Sequence, residues 1–222
     1  MQLTVQSLMT QTHDSLTALE AQFAADHLEL SPEAQDLLFR DARTANTFTD
    51  EPVSEEQVRA IYDLVKWAPT SMNNQPLRIV LVRTPEARGR LVELMSGNNK
   101  AKTSTAPLVA VLAADTDFHD ELGKVFPHFE GARDLFAGND EMREGSATLN
   151  GTLQVAYFIL GVRAAGLAAG PMTGFDADGV DREFFPDGAH RTLAVVNLGR
   201  PAEGAWMDRL PRLDYDEVVT SV

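Results

Sequence analysis

Eight residues, Pro69-Thr70-Ser71-Met72-Asn73-Asn74-Gln75-Pro76, gather two hydroxyls and three amides between two prolines. Amides donate and accept at once, so such a stretch can read the edge of a heterocycle. It can equally be a turn, because Pro, Asn and Ser are all turn formers. Arg43-Thr44-Ala45-Asn46 sets a guanidinium beside a hydroxyl and an amide. That combination suits bidentate phosphate binding, or a surface turn after a helix. Gly170-Pro171-Met172-Thr173-Gly174 lets backbone approach a flat ligand, or closes a tight connection. Arg209 and Arg212 add two cations in the tail, where arginines are commonly just solvated.

Other chemistries lack their residues. The five histidines (His13, His27, His119, His128 and His190) are scattered, and none has the i, i+4 spacing of a zinc helix. No metal site is expected. There is no cysteine among the 222 residues, which removes disulfides and thiolate nucleophiles. No nucleophile elbow, Walker loop or dinucleotide fingerprint occurs. The formal charge is −14, from 19 basic and 33 acidic residues. A surface so acidic argues against nucleic acid and anionic membranes, yet leaves room for a local basic pocket. No secretory signal and no long apolar run is visible, so the expectation is a cytoplasmic protein.

Helices and strands must position these groups. Residues 1–30 read as a helical extension, and residues 31–222 as one domain. Ser31-Pro32 starts a helix running to about Asp41. Ser54-Glu55-Glu56-Gln57 is a capping box, followed by an apolar face at Val58, Ile61, Tyr62 and Val65. Pro69 stops that helix. Leu77–Val82 reads as a strand, and Thr84-Pro85-Glu86 opens a helix to about Met95. Residues 96–102 read as a loop, and Ala106–Ala114 as a buried strand. The Phe-rich stretch 115–140 suggests broken helices or a lid. Glu141–Ala165 is the longest helix, with an apolar surface broad enough to touch a partner. Gly166–Gly174 reads as a glycine-rich loop, 176–184 as a short helix and Leu193–Leu198 as a strand. The pattern is α+β, without the regular alternation of a doubly wound sheet.

Taken in order, these pieces resemble the FMN-dependent nitroreductase family, from about residue 38 to residue 222. The matching motifs are Arg43-Thr44-Ala45-Asn46, Ala68-Pro69-Thr70-Ser71…Asn73-Asn74-Gln75-Pro76, Asn99 with Lys102, Pro171-Met172-Thr173-Gly174-Phe175-Asp176 and the Arg209/Arg212 tail. Within that family, Trp67-Ala68-Pro69-Thr70-Ser71, Ser96-Gly97-Asn98, Phe126-Pro127-His128 and Arg209-Leu210-Pro211-Arg212-Leu213 look like the malonic semialdehyde reductases of bacterial pyrimidine degradation.

The resemblance implies a mostly antiparallel central sheet flanked by helices, with the long helix at a homodimer interface. It implies FMN bound at that interface. Arg43, Thr44 and Asn46 would hold its phosphate and ribityl chain, helped by Lys102 and by Arg209 or Arg212. Asn99 and Lys102 would face the pyrimidine ring, and Lys102 would favour an anionic reduced ring. Pro171, Met172, Thr173 and Gly174 would border N5. Thr173 departs from the acidic residue common there. Pro69, Thr70, Ser71 and Asn73 would come from the other subunit. Phe126 and His128 would face the acceptor, or pack in the core. The implied activity is ping-pong transfer of hydride from NADH or NADPH, through the flavin and without a catalytic side chain, to malonic semialdehyde. Alternatives are a broad nitro- or quinone reductase and a non-catalytic flavin-binding protein.

Overall fold

The structure, a computed structural model, describes residues 27–222. The helix expected over residues 1–30 lies, up to residue 26, outside the described residues. The chain divides into two compact units, Met1–Ala42 and Arg43–Val222. In the described part of the first, Ser31 caps α1 (Pro32–Gln35), its hydroxyl accepting the Ala34 N–H. Asp36–Arg40 then widens into a π-helical turn.

The second unit is built on a four-stranded sheet of order β1-β2-β4-β3, antiparallel throughout. The strands are β1 (Leu77–Val82), β2 (Leu108–Asp115), β3 (Ala168–Met172) and β4 (His190–Gly199). Both faces of β2 are covered, which is why its sequence is apolar without alternation. Leu108, Ala110 and Leu112 pack on one side, and Val109, Val111 and Ala113 on the other. The first side is closed by α2 (Glu55–Val65) and by the 25-residue helix α7 (Asp140–Ala164). The second is closed by α3 (Pro85–Leu94) and α8 (Ala177–Phe184). Sequence caps fix where these helices start. The Ser54 hydroxyl accepts the Gln57 N–H while Gln57 Oε1 accepts the Ser54 N–H, a pairing worth about 1 kcal/mol.

Between β2 and α7 lie a 3₁₀ turn (Phe118–Glu121) and the short helices α5 (Leu122–Val125) and α6 (Ala132–Ala137). These are the broken helices expected there. Phe118 and Phe136 are core residues, in edge-to-face contact at 4.9 Å. Phe126 is half-buried and Phe129 exposed.

Two expectations are corrected. Residues 96–102 are not all loop, because α4 spans Asn99–Thr105. Its composition, Asn-Lys-Ala-Lys-Thr-Ser-Thr, has no apolar stripe, and only Thr103 is buried. No periodicity announces it. Gly166–Gly174 is likewise not all loop, because Ala168–Met172 forms β3. Gly and Pro disguise it. β3 is an edge strand whose Ala169 carbonyl points outward, where it accepts the Ala45 N–H. Pro171, two residues on, presents its missing donor on that same outer side, where the ladder with β4 loses nothing.

Candidate functional site

The two ends of the second unit's chain build one half of the site. After Arg43 the chain runs along the outside of β3 and pairs with the tail. The Ala45 N–H reaches the Ala169 carbonyl at 3.0 Å, and the Asn46 N–H reaches the Ala205 carbonyl at 3.0 Å. Phe48 bridges to Pro201. The segment lies so close to β3 that a Cβ on Gly170 would stand 2.6 Å from the Ala45 carbonyl oxygen. That glycine is therefore required by backbone approach.

Arg43 is half-buried. One of its terminal nitrogens donates to the Met207 carbonyl at 3.2 Å, and its guanidinium lies 5.9 Å from the Trp206 ring centre. Its Nε is buried without a hydrogen-bond partner. Thr44 is exposed beside it.

The tail arginines separate. Arg212 turns back onto its own chain, donating to the Leu210 and Pro211 carbonyls at 2.9 and 3.1 Å. Arg209 lies beside Arg163, at the last turn of α7. Burial first, and then the charge of Arg209, hold the Arg163 guanidinium below its usual pKa. In the sequence Arg163 reads only as the basic end of a helix.

The same edge of the sheet carries the second group. β3 leads into Thr173 and Gly174, and the Gly174 carbonyl accepts both the Ser96 N–H, at 3.0 Å, and Asn99 Nδ2, at 3.1 Å. A Cβ on Gly174 would meet that Asn99 nitrogen at 2.8 Å. Lys102 is half-buried in the last turn of α4 and makes no salt bridge to a carboxylate among the described residues. The Met172 side chain belongs to the core cluster with Val195 and Phe185, so it offers a ligand only backbone. Pro171 is half-buried and Thr173 exposed. Arg43, Thr44, Asn46, Asn99, Lys102 and Pro171–Gly174 thus share the β3 side of the sheet.

The Pro69–Pro76 loop does not join them. It leads into β1, at the opposite edge, with two strands between. Three strand spacings amount to about 14 Å. The loop is a built structure, with left-handed backbone at Met72, Asn73 and Gln75 (φ 53°, 50° and 42°). Asparagine tolerates such angles, but methionine and glutamine hold them only where their surroundings enforce them.

The enforcement comes from α7. Ser71 N–H donates to Asn150 Oδ1 at 2.8 Å, Asn74 Nδ2 to Ser146 Oγ at 3.1 Å, and Leu77 N–H to Gln154 Oε1 at 2.9 Å. Ser146, Asn150 and Gln154 form a polar ladder at i, i+4 and i+8. That spacing on an otherwise apolar helix face is the signal the sequence carries for it. Thr70 Oγ1 accepts the Gln75 N–H at 3.3 Å, and Asn73 Nδ2 donates to the Val125 carbonyl at 2.8 Å. Asn74 Oδ1 is buried without a partner. Pro69 and Ser71 are exposed.

Phe126 and His128 stand just past Val125, their rings 3.9 Å apart. A cavity of about 450 Å³ runs beside the loop along β1, lined among others by Lys66, Gln75, Arg78 and Gln154. No described helix is long and apolar enough to cross a membrane, and no described cluster of three or more His, Asp or Glu could hold a metal.

Comparison with known proteins fits this geometry. The family model described as the nitroreductase family matches residues 40–200. A Streptomyces coelicolor protein, provisionally named NADH dehydrogenase/NAD(P)H nitroreductase, is 64% identical over 195 residues, covering 88% of this chain and 99% of the relative. A Leptothrix cholodnii protein of the same provisional name is 48% identical over 179 residues, covering 81% and 91%. Among solved structures, a provisionally assigned nitroreductase from Bacillus subtilis superposes with a TM-score of 0.76 at 20% identity, covering 83% of this chain and 97% of that one. Another, from Exiguobacterium sibiricum and described as a complex with FMN, has a TM-score of 0.76 at 17% identity, covering 87% and 99%. With the match spanning both the Arg43 and the Gly174 ends of the site, and relatives aligned over nearly their full length, the chain belongs to the nitroreductase family.

Proposed function

We propose that the protein is a homodimeric, FMN-dependent oxidoreductase that uses NADH or NADPH to reduce malonic semialdehyde to 3-hydroxypropionate. The observation that carries the reading is the division of the site. The phosphate-type residues sit on the β3 edge, while the built Pro69–Pro76 loop sits on the β1 edge. A second copy unites them if each loop serves the other subunit's flavin. An apolar face suited to that contact is exposed on α7 and α2: Leu149, Leu153 and Tyr157, with Tyr62 and Leu64.

The residues fit FMN. The unpartnered Arg43 Nε is a buried donor placed for an anion, and Arg209 extends from the tail segment that Arg43 holds. Arg212, folded onto its own carbonyls, is not assigned to the phosphate. Thr44 and Asn46 would take the ribityl hydroxyls. Asn99, fixed by Gly174, and the half-buried Lys102 would take the polar edge of the ring. Gly174, Thr173 and Pro171 would offer backbone, and Met172 the core packing that keeps this backbone in place. Pro69, Thr70 and Ser71 would border the ring from the partner, whereas Asn73, whose amide is given to the Val125 carbonyl, is not assigned to the flavin.

When bound, FMN supplies the two-electron chemistry at its ring. The protein's part is then orientation. Lys102 would stabilise negative charge on the ring, and the Phe126–His128 side would admit the acceptor. In sum, NAD(P)H and a proton convert the aldehyde to the alcohol. The semialdehyde assignment is supported by the branch resemblance of Phe126-Pro127-His128 and the Arg209–Leu213 tail.

The relatives' names favour a second reading, a broad nitro- or quinone reductase. Steady-state assays decide. Purified protein should carry a flavin spectrum and oxidise NAD(P)H when malonic semialdehyde is added, with parallel-line kinetics. Turnover of nitroarenes and quinones without the semialdehyde would select the second reading. A colourless protein that cannot be loaded with FMN would overturn both.

A further inference from the structure

The Pro69–Pro76 loop faces two ways. One side rests on α7, through Ser71 on Asn150 and Asn74 on Ser146. On the other, Asn73 Nδ2 donates to the Val125 carbonyl at 2.8 Å. Met72 packs into the cluster of Phe118, Leu122 and Phe136, beside Val125 and Phe126. Two of the loop's three left-handed residues, Met72 and Asn73, therefore spend their side chains on the 118–136 segment.

The direction of support follows from what holds each partner. The loop is tied to the longest helix by buried groups, Asn150 and Asn74 being 3% and 2% exposed. The segment after Val125 is held far less. Phe126 leaves the helical region, with φ −139° and ψ 55°, and Pro127, His128, Phe129 and Glu130 are all exposed. Fixing the Val125 carbonyl thus fixes the start of the stretch that carries the Phe126–His128 ring pair.

We propose that Asn73 is a specificity-determining positioning residue, which hangs the Phe126–His128 wall from the loop and so sets the size of acceptor admitted beside the flavin. The inference rests on the reading, given above, that this wall is the acceptor side. With the tether intact the opening suits a small, carboxylate-bearing aldehyde. With it released, the wall swings on Phe126 and admits bulky planar acceptors. The competing reading is that Asn73 is there only because asparagine tolerates a left-handed backbone. Glycine tolerates it as well, so the two readings part at Asn73→Gly, which keeps the angle and removes the amide.

The test compares wild type, Asn73→Gly and Asn73→Asp. Aspartate keeps the shape and the backbone preference but turns the donor into an acceptor facing a carbonyl. Hydrogen exchange should rise about fivefold across residues 126–131 in both variants, with α7 unchanged, as expected for the loss of one hydrogen bond. The ratio of kcat/KM for 1,4-naphthoquinone over malonic semialdehyde should rise roughly fivefold or more, while the FMN Kd shifts by less than about threefold.

Unchanged exchange with an unchanged ratio overturns the proposal. So does an FMN Kd raised about tenfold at an unchanged ratio, which would make Asn73 a cofactor ligand. If wild type fails to bind FMN at all, the proposed function falls, and the exchange comparison alone then decides the tether.

Discussion

Arg43 anchors the tail and, on the function proposed above, would also hold the flavin phosphate. Its terminal nitrogen holds the Met207 carbonyl, while its Nε is buried and unspent. Lysine can replace the charge but not the fork, so Arg43→Lys and Arg43→Gln should both weaken FMN binding. We expect the FMN Kd to rise roughly tenfold or more, with riboflavin, which lacks the phosphate, far less affected. Equal losses for the two flavins in a titration would mean that Arg43 only supports the tail. Gly170 is the second telling residue. A Cβ there meets backbone, the Ala45 carbonyl at 2.6 Å, and no side chain can yield. Gly170→Ala should cost about 1–3 kcal/mol in urea unfolding. A wild-type midpoint would show that the Arg43–Asn46 segment is held less closely than described.

At the scale of elements, α7 is the main support of the Pro69–Pro76 loop. Its polar ladder of Ser146, Asn150 and Gln154 holds the loop and the entry to β1. Asn150→Leu is nearly the same size, but strands the Ser71 N–H and loses the contact with Ser146. About 2–3 kcal/mol of stability should be lost, as read by denaturant unfolding, and the loop should exchange faster. A smaller change on α2's exposed face, such as Asp63→Asn, breaks only a surface pair with Lys66, and should be close to neutral. Elements with strong periodicity or caps were legible in the sequence. α7, expected over Glu141–Ala165, spans Asp140–Ala164, and α2 starts at its capping box. α4 was not legible because nothing in it but Thr103 is buried, and β3 was not because an edge strand tolerates the Gly and Pro that signal loops. The loop's supports were missed for a related reason. Polar residues on a helix read as solvated unless the partner they face is known.

Across the whole molecule, the site residues named from the sequence fall on two opposite edges of one sheet. Spacing along a chain cannot reveal that, because it depends on strand order. If a second copy unites the halves, the exposed stripe of α7 is where charge should separate them. Leu149→Lys with Leu153→Glu should halve the solution mass measured by sedimentation, and strip the flavin on gel filtration. A variant that becomes a monomer yet keeps its flavin would refute the shared site.

The pairing of Arg43–Thr49 with the stretch from Arg200 to Met207 has one more consequence, which concerns time. Arg43 and the carbonyl it holds are 164 residues apart in the chain. At roughly 5–20 residues per second, a ribosome makes Arg43 many seconds before its partner at Met207 exists. The sheet can be complete by Gly199 while the Arg43 segment still waits for Ala205 and Met207. The core of the fold can thus form before Arg43 has its partner in the tail.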